Sequence, residues 1–193
     1  GNIPGGGSSG DRHMLIVDRD NRWLFELYAL QFSGGQWHAG SGAILNLKTN
    51  DRRPQGWTSA DAAGLAILPG LVRADEVFER GVIDHAIRFT ARGSKSYVFP
   101  ASHDATSGPG GDARPPLGTR VRLKASVDVS GFSPPVQVIL RAMKTYGMIL
   151  ADNGSDWYIS GASDPRFDDD VLHELDAITG RDLEVVDTTG LVN

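Results

Sequence analysis

The residues of this chain best suited to chemistry are its carboxylates and one histidine. Glycosidic bond hydrolysis typically uses two carboxyl groups, one protonated and one ionised, held across the bond. Asp61 and Asp152 are the acid/base pair expected here, out of a set that also contains Glu26, Asp84 and Asp156. Each has a competing structural duty. Asp61 follows Thr58 by three residues, the spacing of a capping box with Asp in place of Glu or Gln. Asp152 and Asp156 flank Asn153-Gly154, where turn hydrogen bonding would occupy them. Glu26 interrupts an otherwise apolar strand face, so it must be paired, protonated or facing a cavity, and a salt bridge to an arginine is the expected partner. His103 opens a long loop after a strand end, where general acids and bases often sit, and is an alternate proton carrier.

Binding groups can be read from the same pattern. Trp57 and Trp157 lie beside glycine and polar turn residues, where a flat ring is free to stack on a sugar, whereas Trp23 and Trp37 lie within strands and are expected in the core. Arg120, Arg122 and Lys124 form a cationic row at two-residue spacing. Arg122 and Lys124 would orient an anionic group on a substrate, and a cross-strand ladder of carboxylates explains the row equally well. No His pair has the spacing of a helical metal site, Asp164 and Asp168 to Asp170 lack the Gly and terminal Glu of an EF-hand loop, and no cofactor or metal is implied. His85, on the apolar face of its strand, reads as a satisfied core histidine. There is no GxSxG, no P-loop and no GxGxxG opening a helix, so nucleotide and serine-hydrolase chemistry have no support.

The elements that must position these groups are mostly strands. HMLIVD, RWLFELYALQF and QWHAGSGAILNLK predict an antiparallel meander over the opening third, with a bulge or close backbone approach at Ala39 to Gly42. In WLFELYALQF both alternating faces are apolar, as in a central strand covered on both sides. VIDHAIRFT, SYVFPA, the alternating run TRVRLKASVDV and the closing LEVVD read as further strands. MILAD and DWYISG are expected to pair as a hairpin across Asn153-Gly154. Ser133 as N-cap, Pro134 at the first helical position, Val136, Ile139, Leu140 and Met143 on one stripe, and Gly147 past the end predict a helix. A second is expected after Asp168-Asp169, carrying Val171, Leu172, Leu175 and Ile178. The long aperiodic stretch 102–118 marks a candidate site rim. The fold class is α+β, a mainly antiparallel β sheet or sandwich with two packed helices. A flexible Gly/Ser-rich leader at 1–10 precedes a single β-rich domain at 11–193.

Composition sets outer limits. The 193 residues are 40% hydrophobic and 22% charged, near the average for a globular domain, and 24 Gly with 10 Pro indicate a loop-rich chain. A net charge of -5 has the wrong sign for gripping a phosphate backbone, so no nucleic-acid partner is expected. The acidic excess sits in the C-terminal half. No cysteine is present, which excludes disulfides, thiolate metal sites and Cys nucleophiles. No apolar run reaches the length of a membrane span.

Several strings together resemble a family of secreted bacterial proteins of uncharacterised activity. They are Gly10-Asp11-Arg12-His13 with VDRDN and LFELY, then WHAGSGAI, RPQGWTSADAAGLAILPGLVR, DHAIRFT with VFPASH, and RVRLKASVDVSGF with YGMILADNGSDWYISGASDPRF. The resemblance runs from Asp11 to Val186. It implies an exported, extracellular protein, often multi-domain, with this chain as its C-terminal part. It carries over no catalytic residues. Many relatives have cysteine at position 22, where this chain has Arg22, so a thiol role there is in doubt. Two functions follow as expectations. The first is an extracellular domain acting on a polysaccharide or cell-envelope glycan in a groove rimmed by Trp57, the 102–118 loop and Trp157. The alternative is a non-catalytic surface module that binds glycan, or self-assembles as a homo-oligomer through its N-terminal segment.

Overall fold

The computed structural model describes residues 10–108 and 110–190, so the leader lies, but for Gly10, outside the described residues. The architecture is α+β, with mostly antiparallel strands in three sheets and few helices. β1 (Met14–Asp18), β2 (Trp23–Tyr28) and β5 (Ser41–Asn46) form one antiparallel sheet with β2 in the middle. The long hairpin read from the sequence is broken partway. Ala29 takes a left-handed φ of 51° and its N–H donates to the carbonyl of Asp11, so the chain leaves β2 before forming a separate two-stranded ribbon. That ribbon pairs β3 (Gln31–Ser33) with β4 (Gln36–His38).

The expectation that β2 is covered on both faces is not met. Leu24 and Glu26 are fully buried, whereas Trp23 and Tyr28 are exposed. On the outer face Ile16, Phe25 and Ile44 stand in register across the three strands, with Ile16 and Ile44 exposed. Trp37 is exposed as well, at the ribbon, with Phe32 against it at a ring distance of 5.0 Å. Neither Trp23 nor Trp37 is therefore a core residue. Alternation identifies two faces of a strand, and only the rest of the fold decides how many receive a covering layer.

The larger core lies under a four-stranded sheet ordered β6-β8-β7-β9. Its strands are β6 (Ile87–Ala91), β7 (Arg120–Leu123), β8 (Met148–Asn153) and β9 (Leu183–Val185). β6 and β8 are parallel, and the other pairs are antiparallel. Helix α1 (Pro134–Thr145) follows Ser133, which holds the N-cap position in extended backbone although its hydroxyl makes no capping bond, and buries Val136, Ile139, Leu140 and Met143 as the spacing requires. The second helix is shorter than expected. α2 (Asp169–Leu172) winds into a 3-10 turn at His173–Ala177, and Val171, Leu172, Leu175 and Ile178 pack partly buried against the core. Asp168 caps α2 by accepting from the N–H of Asp170 at 2.9 Å.

Four strand assignments change. VIDHAIRFT is strand only over β6, so Ile83 and His85 precede the strand and do not lie on its face. TRVRLKASVDV is strand only over β7, because Lys124 hands its N–H to the carbonyl of Asp182 and the chain then turns at Val127. SYVFPA forms isolated backbone contacts rather than a strand, with Tyr97 beside Leu117. MILAD and DWYISG do not form a hairpin. Gly154 donates to Ala91, Trp157 donates to Thr90, and Ile159 pairs antiparallel with Phe89. The chain after Asn153 therefore crosses the end of β6 and returns along its far side. Among the described residues no helix is long and apolar enough to cross a membrane.

Candidate functional site

Asp61 and Asp152, far apart in sequence, meet. Asp61 sits in a tight loop wound around Ser59, whose hydroxyl accepts the Asp61 N–H at 2.9 Å and donates to the carbonyl of Leu65 at 2.6 Å. The Thr58 hydroxyl turns to backbone carbonyls, so no capping box forms and the Asp61 carboxylate is free for another partner. That partner is Arg88 on β6, which donates from Nη2 to Oδ1 at 2.8 Å and from Nε to Oδ2 at 3.3 Å. The Ala62 N–H adds a third bond at 3.1 Å, and the Asp61 side chain is wholly buried. The loop is tied to β8 by the Ala63 N–H, which donates to Ala151 at 2.9 Å.

Asp152 reaches the same place through an irregularity. Met148, Leu150 and Asp152 would share one face of an unbroken strand, and the first two are buried in the core. The β6–β8 register shifts between Phe89 and Thr90, so Asp152 pairs with Thr90 and not with the residue that regular spacing would bring. A one-residue shift moves a side chain to the opposite face. Asp152 consequently lies on the face that carries Arg88, with its Oδ2 3.9 Å from Arg88 Nη2 and Oδ1 accepting the Asn153 N–H at 2.7 Å.

The two carboxyl groups converge on Arg88 Nη2, Asp61 at 2.8 Å and Asp152 at 3.9 Å, and two like charges held at one cation oppose each other's ionisation. Burial is the largest cause raising the Asp61 carboxyl to about 7; the neighbouring Asp152 pushes the same way, and Arg88 opposes both. Burial also raises Asp152, against the Asn153 N–H, Arg88 and the bond from Asp61. The pair thus shares a raised affinity for a proton. Arg88 is fixed from behind by the Ser160 hydroxyl.

The dyad forms the floor of a pocket of about 270 Å³ between the first sheet and the 58–62 loop. Its walls include Asp11, Tyr28, Ser41, Thr58 and Asn153, a set dominated by hydroxyl, amide and carboxylate groups. Such a lining matches a ligand rich in hydroxyls better than an apolar one. The side chain of Asp152 is 28% exposed while that of Asp61 is 0%, so Asp152 is the member that can touch a ligand.

The other expected site residues are scattered. His103 is next door, but its Nδ1 is 2.9 Å from the Ala62 carbonyl, which anchors the start of the 102–118 loop. Trp57 is exposed, with the Arg53 guanidinium 5.2 Å from its ring, and does not line the dyad pocket. Trp157 stacks on Phe89 at 5.6 Å and belongs to a separate groove. Arg122 pairs across the sheet with Glu184, as the ladder alternative expects, whereas Lys124 donates to the Arg181 carbonyl at 2.6 Å, so among the described residues the carboxylate pairing is limited to Arg122.

Glu26 has no arginine in salt-bridge contact among the described residues; its carboxylate accepts the Ile67 N–H at 2.8 and 2.9 Å and the Leu68 N–H at 2.9 Å, holding the first sheet to the 60–71 segment. Burial raises its pKa despite these bonds. Asp84 is taken by Arg80 at 2.6 Å, and Asp156 by Arg92 at 3.2 Å. His85 is satisfied between the Ala86 carbonyl and the buried Glu76.

Arg88 and Tyr28 were not visible as site residues in the sequence. Arg88 is an arginine in a short alternating strand, and nothing local distinguishes a cation turned toward a buried acid from one turned to solvent. Comparison with family models, with curated proteins and with solved structures finds no match for this chain.

Proposed function

We propose that this chain is an extracellular carbohydrate-active domain that cleaves or modifies a glycan, with Asp152 as the acid/base group in the pocket and Asp61 as the partner that holds its proton. The observation that carries the reading is a partly exposed carboxyl group and a buried one converging on Arg88 at a polar pocket. Burial raises both carboxyl groups above the ordinary range, which favours a carboxylic acid that can give a proton and take it back. In this reading the proton passes through Asp152 to the leaving oxygen as the glycosidic C–O bond breaks. The same carboxylate then takes a proton from the water whose oxygen bonds to the sugar carbon, and the dyad returns to its starting state.

Asp61 is wholly buried, so it cannot stand on the far side of a glycosidic bond as the second of two carboxylates that straddle it. The dyad therefore works from one side, and the expected opposed pair is replaced by one accessible group and its buried partner. A pocket of this size supports one sugar unit or a chain end as the bound portion. Incubation with plant, microbial and envelope polysaccharides, read by mass spectrometry of soluble products and by co-sedimentation, tests the reading. Products are expected from the parent chain and not from Asp152→Asn with an unchanged circular dichroism spectrum. Undiminished turnover in that variant overturns the assignment.

A second reading, a non-catalytic surface module that binds glycan or assembles with its own copies, is favoured by the exposed apolar row Ile16, Phe25 and Ile44. Co-sedimentation without products supports glycan binding. Light scattering that finds a dimer of the parent chain and a monomer of Ile44→Glu supports assembly.

A further inference from the structure

A groove of about 740 Å³ lies between the segment that follows β8 and the turns that carry α2, apart from the dyad pocket. Its floor is apolar, with Ile139, Phe167, Leu172 and Leu175 among the side chains that reach it. At one end stands Trp157, whose backbone takes a left-handed φ of 63°. A bulky residue held in that region signals a constraint imposed by its surroundings. One face of the indole stacks on Phe89. The ring also approaches Gly180, where a Cβ would stand 2.9 Å from Cζ2. Gly180 thus packs against the ring with no side chain between them, and Trp157 remains 41% exposed and lines the groove.

The rim is acidic. Asp156, Asp164, Asp169 and Asp176 line it, and residues 156–182 contain eight Asp or Glu against two Arg. Three of the rim carboxylates have partners, Arg92, Arg166 and His173 respectively for Asp156, Asp164 and Asp176. Asp169, at the first turn of α2, forms no ion pair among the described residues. Carboxylates thus outnumber cations along this segment, and an apolar wall focuses the field of such a surplus.

We infer that this groove binds a small organic cation with an apolar body, the ammonium group lying between Trp157 and the carboxylate rim and the body on the aliphatic floor. The volume falls within the range of small-molecule sites, roughly 300 to 1,000 Å³. An indole is the best ring for a cation, and the surplus carboxylates disfavour an anion in the same place. The inference is independent of the dyad reading, since it uses none of the same side chains.

The test uses three molecules of one shape: 3-phenylpropylammonium, 3-phenylpropan-1-ol and 3-phenylpropanoate. Binding is followed at the indole N–H of Trp157 in proton–nitrogen correlation spectra, assigned with Trp157→Phe. The ammonium compound is expected to shift that signal saturably and to bind about tenfold more tightly than the alcohol, with the carboxylate weakest. Asp169→Asn, an exposed change, should weaken the ammonium compound about threefold without affecting the alcohol. Gly180→Ala, which places a methyl group against the indole, should reduce binding of both. Equal affinity for alcohol and ammonium, or no shift of Trp157 with the ammonium compound, overturns the inference.

Discussion

Replacing Asp61 with Asn should change how stability depends on pH, and the size of the change can be worked from the site. The native carboxyl titrates at about 7, against 3.8 for the ordinary group. Below the unfolded value both states carry the proton and the group contributes no difference. Between the two values the native state holds a proton that the unfolded chain has lost, so raising the pH favours unfolding. Above the native value both are ionised and the loss is complete. A span of about three pH units at roughly 1.4 kcal/mol each gives a loss of about 4 kcal/mol between about pH 4 and pH 7.

Other groups move in the same experiment, and their signs are known. Asp18, Asp84, Asp128, Asp164, Asp182 and Asp187 are lowered by hydrogen bonds, so their stabilisation is present above the unfolded value and is lost only as the pH falls further. Glu26 and Asp152 are raised by burial and act in the same direction as Asp61. His173 is raised by Asp176, so its contribution is lost as the pH rises beyond 6.5 through its native value. The difference between parent and variant isolates the dyad. Urea unfolding followed by circular dichroism from about pH 4.5 to about pH 8 should show Asp61→Asn gaining on the parent by about 3 to 4 kcal/mol across the window. The offset between the two proteins also carries the cost of leaving Arg88 without its buried partner, so the pH-dependent change in their difference is the readout. Parallel curves, within about 1 kcal/mol over the whole range, would refute the shared-proton description.

Glu26→Leu leaves the N–H groups of Ile67 and Leu68 buried without acceptors and should cost about 2 to 5 kcal/mol in urea unfolding, with Glu26→Gln costing less because one oxygen remains. Gly64→Ala should cost about 2 to 4 kcal/mol and lower the melting temperature, because φ is +73° and the added Cβ would stand 2.7 Å from the Trp57 carbonyl oxygen and 2.2 Å from the Ser102 hydroxyl. Arg122→Ala breaks a half-exposed pair with Glu184, and should change stability by no more than about 1 kcal/mol and leave polysaccharide turnover unchanged.

The two carboxylates of the candidate site were legible as chemistry but not as neighbours. The reason is visible at β8. Regular alternation would send Asp152 to the side of Met148 and Leu150, and a register shift opposite Thr90 sends it to Arg88. A bulge of that kind is chosen by the fit of two strands remote in sequence, so no local pattern announces it. The same holds for Glu26, whose oddity was plain while its partners, two backbone N–H groups of the 60–71 segment, were not. Asn153-Gly154 misled for a related reason. The dipeptide favours a hairpin, and pairing along both sides of β6 overrode that preference.

Taken by itself, the sequence determined what neighbouring residues decide. Ser133, Pro134, the apolar stripe and Gly147 place α1 to the residue, and Met14–Asp18 and Trp23–Tyr28 were recognisable as strands. The α+β class and the predominance of antiparallel strands followed from the same local signals. Tertiary structure alone decided that β6 and β8 run parallel, that one face of β2 is open, and that Asp61 and Asp152 converge on Arg88 with a raised affinity for a proton. The division is physical. Caps, turns and periodicity are set by atoms a few bonds apart, whereas register, burial and a carboxyl group's affinity for its proton depend on which distant surfaces exclude water together.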